Sequence, residues 1–150
     1  MTEKYAFVMM IKDKWWQEFC RLHHKGKQVQ SYVQIGLAPP KNATLLLFYV
    51  TKPVAEVLGY AEFIERKVGK TEELWKEHGE ESVLDSPEKY LEFVKGTELV
   101  SFIRFKNLKE AVNPIPLKNL LMFLGVNRLA RRGFFINRET AEKLVAIMDS

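Results

Sequence analysis

Two runs of seven residues, neither with a polar face, set the strongest constraint on this chain. Residues 5–11 (YAFVMMI) and 44–50 (TLLLFYV) are apolar on both alternations. A strand of that kind is stable only when both of its faces are covered, so each is expected near the middle of a sheet with layers on either side. With 150 residues and 17.5 kDa the chain can bury one sizeable core, and a single domain over 1–150 is expected. Its 47% hydrophobic and 28% charged residues are too apolar for a disordered chain. No apolar run reaches the roughly 18 residues of a membrane span, so no membrane partner is expected. The start, Met1-Thr2-Glu3-Lys4-Tyr5, lacks the basic and apolar regions of a secretory signal, and a cytoplasmic location is the default. A lone Cys20 cannot form an internal disulfide.

Around these runs the pattern alternates between strand and helix periods. Asp13 is placed to cap a helix in which Trp15, Phe19 and Leu22 share a stripe, with Trp16 and Cys20 beside it. Residues 28–35 alternate cleanly and read as a half-buried strand with Gln28, Gln30, Tyr32 and Gln34 on a polar outer face. Residues 56–66 read as a strand with Gly59 inside it, where a glycine signals a bulge or the close approach of another backbone. Thr71 and Ser86 open two short helices, stopped by Gly79 and Gly96, and residues 99–105 return to strand period. Asn113-Pro114-Ile115-Pro116 reads as an extended linker, residues 117–124 as a helix capped by Gly125, and residues 133–136 as a brief strand. Asn137 opens a last helix whose Ala141, Leu144, Val145 and Met148 form its buried stripe. About six strands and five short helices, joined by mixed connections, favour an α+β fold over a doubly wound sheet.

The usual signatures of catalysis are absent. The sequence holds no Walker lysine loop, no Gly-x-Gly-x-x-Gly and no Gly-x-Ser-x-Gly. Cys20, His23 and His24 form a Cys-x-x-His-His string, but adjacent histidines do not share a helix face as an i, i+4 pair does, so neither a metal nor another cofactor is expected. Cys20 beside Trp16 reads as a small buried apolar residue, and His78 as an exposed one.

Charge is more informative. The net charge is +4, yet residues 56–98 carry six basic against twelve acidic side chains, whereas residues 104–143 carry nine against three. Residues 1–30 carry six against three. If the two basic segments meet, they make the one-sided positive face of a polyanion binder; otherwise they are ordinary solvated surface. The excess of Glu and Lys over Asp and Gln is of the kind seen in hyperthermophile proteomes. Two local features suggest nucleic acid. Arg128, Arg131 and Arg132 put three guanidinium groups within five residues, suited to bidentate phosphate contacts and stacking. Lys12-Asp13-Lys14-Trp15-Trp16 interleaves cations with aromatic rings. Each has a plainer reading: the tryptophans can be core, and the arginines can pair with the acidic middle.

The segment from Phe48-Tyr49-Val50-Thr51-Lys52-Pro53 through Val57-Leu58-Gly59-Tyr60-Ala61-Glu62 resembles the core of the PUA-like superfamily, which includes PUA, ASCH and EVE modules. A Trp-bearing helix follows at Glu73-Leu74-Trp75, and Tyr90-x-x-Phe93-x-x-Gly96 with the next strand is similar to the second half of such domains. The likeness spans roughly residues 43–125, and the whole chain looks similar to an archaeal family of that superfamily. It implies a pseudo-barrel of five or six mixed strands flanked by short helices, with a cleft that in relatives receives RNA or a modified base. Some ASCH relatives are similar to amidohydrolases, announced by Gly-x-Lys-x-x-Glu-x-Arg. That signature is missing here, although Thr51, Lys52 and Glu62 supply the residue types at other spacings.

The expectation is therefore a non-enzymatic RNA or nucleic-acid binding module, with Lys12, Lys14, Trp15, Lys25, Lys27, Arg128, Arg131 and Arg132 on its basic face and Lys52 at the cleft mouth. An amidohydrolase acting on a modified nucleoside and a protein-interaction domain with an acidic partner are the alternatives.

Overall fold

The computed structural model describes residues 4–84 and 86–150. Residues 1–3, which begin the stretch read for a targeting signal, and Asp85 lie outside the described residues. In chain order the elements are β1 (Ala6–Ile11), α1 (Asp13–His24), β2 (Val29–Ile35), β3 (Leu45–Val50) and β4 (Glu56–Lys70). Then follow α2 (Thr71–His78), a 3₁₀ turn (Gly79–Glu81), α3 (Pro87–Val94), β5 (Leu99–Pro116), α4 (Leu117–Leu124), β6 (Phe134–Ile136) and α5 (Arg138–Asp149). This is the expected α+β class.

The six strands form one mixed sheet in the order β2-β5-β4-β3-β1-β6. The two wholly apolar runs lie side by side as the parallel pair β1 and β3, with Ala6 opposite Leu45 and Ile11 opposite Val50. The other pairings are antiparallel. The long antiparallel β4–β5 pair carries register shifts at Val57/Gly59, Tyr60/Glu62 and Phe63/Glu65, and such bulges bend and twist a ladder. The bend divides the sheet: the first half of β4 pairs with β3, and the second half, with the start of β5, leads to β2.

Each face is covered, as the central strands require. On the inner face α1 seats Trp16, Phe19 and Cys20 against Phe7, Met9, Leu46, Phe48, Ile103 and Phe105. Phe19 is the hub, edge-on to Phe105 at 5.1 Å and to Tyr32 at 5.8 Å. On the outer face α4 and α5 cover β1 and β3 through Leu120, Ala141, Leu144 and Met148. Around the bend, α2 and α3 cover β2 and β5 through Leu74, Tyr90 and Val94.

Local signals for helix ends hold where a side chain or glycine does the capping. Ser86 Oγ accepts from Lys89 N, Asn137 Oδ1 accepts from Thr140 N, and Gly125 closes α4 at φ 67°. Asp13 does not cap α1: Lys12 holds that position and Asp13 lies in the first turn, where its charge still favours the helix dipole. Gly79 is the C-cap of α2, as expected, although its right-handed helical angles lead on into the 3₁₀ turn.

Three further readings are corrected. The 113–116 linker is the last stretch of β5, whose residues 107–116 pair with β4 alone, so the prolines meet no second ladder. β2 has no solvated face: Gln30 is 1% and Tyr32 9% exposed, because they point into the curled sheet while Val33 packs under α2 and α3. His78 is mostly buried, against the Phe102 ring at 6.3 Å and with Nδ1 3.5 Å from Glu81.

Glu81 anchors the turn to the sheet. Arg104 donates to both Glu81 oxygens at 2.8 Å and also reaches Glu65, while Ser31 donates to Glu81 at 2.8 Å. Burial by itself raises the Glu81 carboxyl, but the hydrogen bonds from Arg104 and Ser31 and the charges of Arg104 and His78 outweigh it and hold the group below its usual value. A carboxyl depressed in the folded state stabilises the fold above its unfolded value of about 4.5, and that contribution is lost as pH falls through the lower folded value. Glu81→Gln is therefore expected to lower the urea midpoint at pH 7, with the gap to the parent chain narrowing at pH 3. An equal gap at both pH values would show that Glu81 acts only by packing.

Candidate nucleic-acid interface

The curl that buries Tyr32 also creates a cleft. β2 stands at one end of the strand order and β1 with β6 at the other, yet residues from both line a single depression of about 200 Å³. β1 contributes Phe7, Met9 and Met10, β2 contributes Tyr32, Gln34 and Ile35, and the loop after β2 adds Leu37, Ala38 and Pro39. Arg131 and Arg132, from the loop before β6, complete the rim. The cleft is thus the seam where the sheet fails to close.

Gly133 sets the arginines there. It has φ 90°, and a Cβ on it would lie 2.6 Å from the Phe7 ring and from the Val8 carbonyl. The bare backbone lets the loop press against β1 and turn into β6. Among the described residues neither Arg131, Arg132 nor Arg128 has an acidic partner. The acidic middle instead holds Arg104, through Glu65 and Glu81.

The other expected residues divide. Lys12 follows β1 and Lys52 follows β3, at the same end of the parallel pair, where Thr51 N donates to Ile11 O at 2.9 Å. Both are exposed, and the arginine loop borders the same end of β1 at Met10. Lys25 and Lys27 lie past the opposite end of α1, whose 12 residues span about 18 Å, so they do not join this group. Trp15 is committed elsewhere: its ring meets Phe93 of α3 edge-on at 6.5 Å and carries the Lys14 ammonium at 4.7 Å. Trp16 is core, 5.5 Å from Phe48. The amidohydrolase residue types are not assembled, since Glu62 pairs with Leu45 at the start of β3 and Thr51 and Lys52 follow its end. At about 3.3 Å per residue that is most of a strand length.

Tyr32 and Gln34 escape the sequence reading because a period of two cannot distinguish water from the interior of a curled sheet. Burial pushes the Tyr32 phenol above its ordinary value, with the Gln34 side chain acting in the opposite direction, so the hydroxyl stays protonated at neutral pH. The seam therefore offers a neutral hydroxyl, an amide with both donor and acceptor, apolar walls and two cations. Among the described residues no group of three or more His, Cys, Asp or Glu side chains converges as a metal site. Cys20 is buried and its thiol is pushed up to about 12, by burial first and by Glu110 second. His24 faces the same Glu110, at 2.5 Å.

No known family profile matches the chain. It is 26% identical over 133 residues to the ASCH domain-containing ribonuclease of Zymomonas mobilis, covering 88% of this chain and 87% of that protein. The crystal structure of ASCH from Zymomonas mobilis superposes with a TM-score of 0.72 at 23% identity, over 99% of each chain. A serine-to-alanine variant of that protein gives 0.73 at 23% identity, over 99% of this chain and 100% of its own. The fold of this chain is that of these ASCH structures.

Proposed function

We propose that this chain, with its ASCH fold, is an RNA-binding domain that takes a nucleotide into the seam between β2 and β1. The observation that carries the reading is the pairing of that cleft with Arg131 and Arg132, cations without acidic partners among the described residues. Arginine meets phosphate through a planar pair of donors, and apolar walls beside it suit the face of a base. At the edge of such a base, the Gln34 amide and the Tyr32 hydroxyl supply donors and an acceptor, which is the equipment for telling one base or base modification from another. Lys12 and Lys52 extend the positive end for further phosphates.

A second reading, RNA cleavage, is favoured by the name of the Zymomonas mobilis relative, a ribonuclease. Among the described residues the cleft lining contains no histidine or carboxylate to act as base and acid, which keeps binding as the leading reading. Both are tested by titrating the protein into labelled single-stranded RNA, duplex DNA and polyglutamate at several salt concentrations, with the RNA then run on a denaturing gel. The expected result is binding to intact RNA that weakens steeply with salt, and a loss of about threefold to tenfold in Gln34→Ala, the size of one or two hydrogen bonds. Binding to polyglutamate in place of RNA would establish an acidic protein partner, and shortened RNA would overturn the non-enzymatic part.

A further inference from the structure

The arginine loop has two sides. Arg132 borders the seam cleft, but Arg128 faces away from it, into a groove of about 320 Å³ between α4 and β6. Leu124, Val126, Leu129, Phe134 and Phe135 line that groove with Arg128, and among the described residues no acidic side chain does. Its approach is unusually apolar for a surface: Met122 is 74%, Phe123 49% and Val126 46% exposed. Isolated apolar side chains at a surface need no explanation, but a cluster beside Arg128, a cation without an acidic partner among the described residues, fits a ligand that is both anionic and apolar. Cleft and groove share a wall, since Phe7 of the cleft and Phe135 of the groove stand edge to face at 5.0 Å. Arg131 lines the cleft and also a depression that Arg128 shares across the loop. The Lys4 ammonium lies over the Phe135 ring at 5.2 Å.

Resting on the RNA reading above, the geometry points to this groove as a second nucleobase subsite: a single RNA strand crosses the loop, its phosphodiester on Arg128 and Arg131, with one base in the seam and a neighbouring base in the groove. A duplex cannot do this, because its bases are stacked and paired with their faces hidden. Charge complementarity selects the occupant, since free guanidinium groups answer the backbone while the apolar floor answers the faces of unstacked bases.

The test compares Val126→Glu with Leu91→Glu, which makes the same charge change at an exposed position on α3, away from the loop. Hexauridylate should bind about tenfold more weakly to Val126→Glu than to Leu91→Glu, within the range for loss of one stacked base. Uridine monophosphate, which needs only the seam, should bind both variants as it binds the parent chain. Circular dichroism melts should coincide. Equal losses in the two variants, or a loss of uridine monophosphate binding in Val126→Glu, would overturn the second subsite and leave the seam reading standing. Failure of the parent chain to bind either probe would overturn the RNA reading itself. Binding of phosphatidylserine vesicles that Val126→Glu abolishes, with hexauridylate unaffected, would assign the groove to an anionic membrane surface and likewise overturn the subsite.

Discussion

Gly59→Val is expected to lower the melting temperature by roughly 6 to 12 °C, corresponding to about 3 kcal/mol in a domain of this size. Gly59 is buried on β4 opposite Phe48, at the register shift that begins the bend of the β4–β5 pair. A Cβ there would overlap the Lys109 carbonyl of β5 and lie 2.5 Å from the Trp16 ring. Neither neighbour can yield cheaply. The carbonyl belongs to a ladder, and Trp16 is fixed between α1 and Phe48 in the inner core. The strain is one of space, so Gly59→Ala should already show much of the loss. A thermal melt decides the matter: an unchanged midpoint would mean that α1 can lift off β4 freely, contrary to the packing of Trp16 and Phe19.

Changing Arg128, Arg131 and Arg132 together to alanine is expected to leave the melting temperature within about 2 °C of the parent, because exposed charges without partners contribute little to folding. Binding to single-stranded RNA should fall at least about 100-fold, since each hydrogen bond to a charged group contributes on the order of 1.5 to 3 kcal/mol. The slope of log affinity against log salt should shrink by about 0.7 for each phosphate of the single strand that is no longer neutralised. The weakening should be similar for every RNA sequence, as phosphate contacts position a strand and do not read it. Gln34→Ala, by contrast, should change affinity without changing the salt slope. A triple variant that melts early and binds normally would mean that the loop serves the fold.

Features of the protein that were legible in its sequence are those that short stretches of chain can decide. The apolar runs at 5–11 and 44–50 required central strands, and they became the parallel pair β1 and β3. Ser86, Asn137 and Gly125 marked helix ends because capping is satisfied by atoms within four residues. Gly59 was legible as a point of close approach, though not what approached it. Tertiary structure decided everything that depended on which distant residues came to share a space. The polar-looking face of β2 was turned inward by the curl of the sheet, which made Tyr32 and Gln34 part of the seam. His78 was drawn from apparent exposure to a place beside Glu81 and Phe102. Of one expected basic face, Lys12, Lys52, Arg131 and Arg132 gather at one end of β1 and β3, Lys25 and Lys27 fall at the far end of α1, and Trp15 is held by Phe93. Period and composition fix the side of its own element on which a residue lies; whether that side meets water, a core or a cleft is set by long-range pairing, which no window of the chain contains.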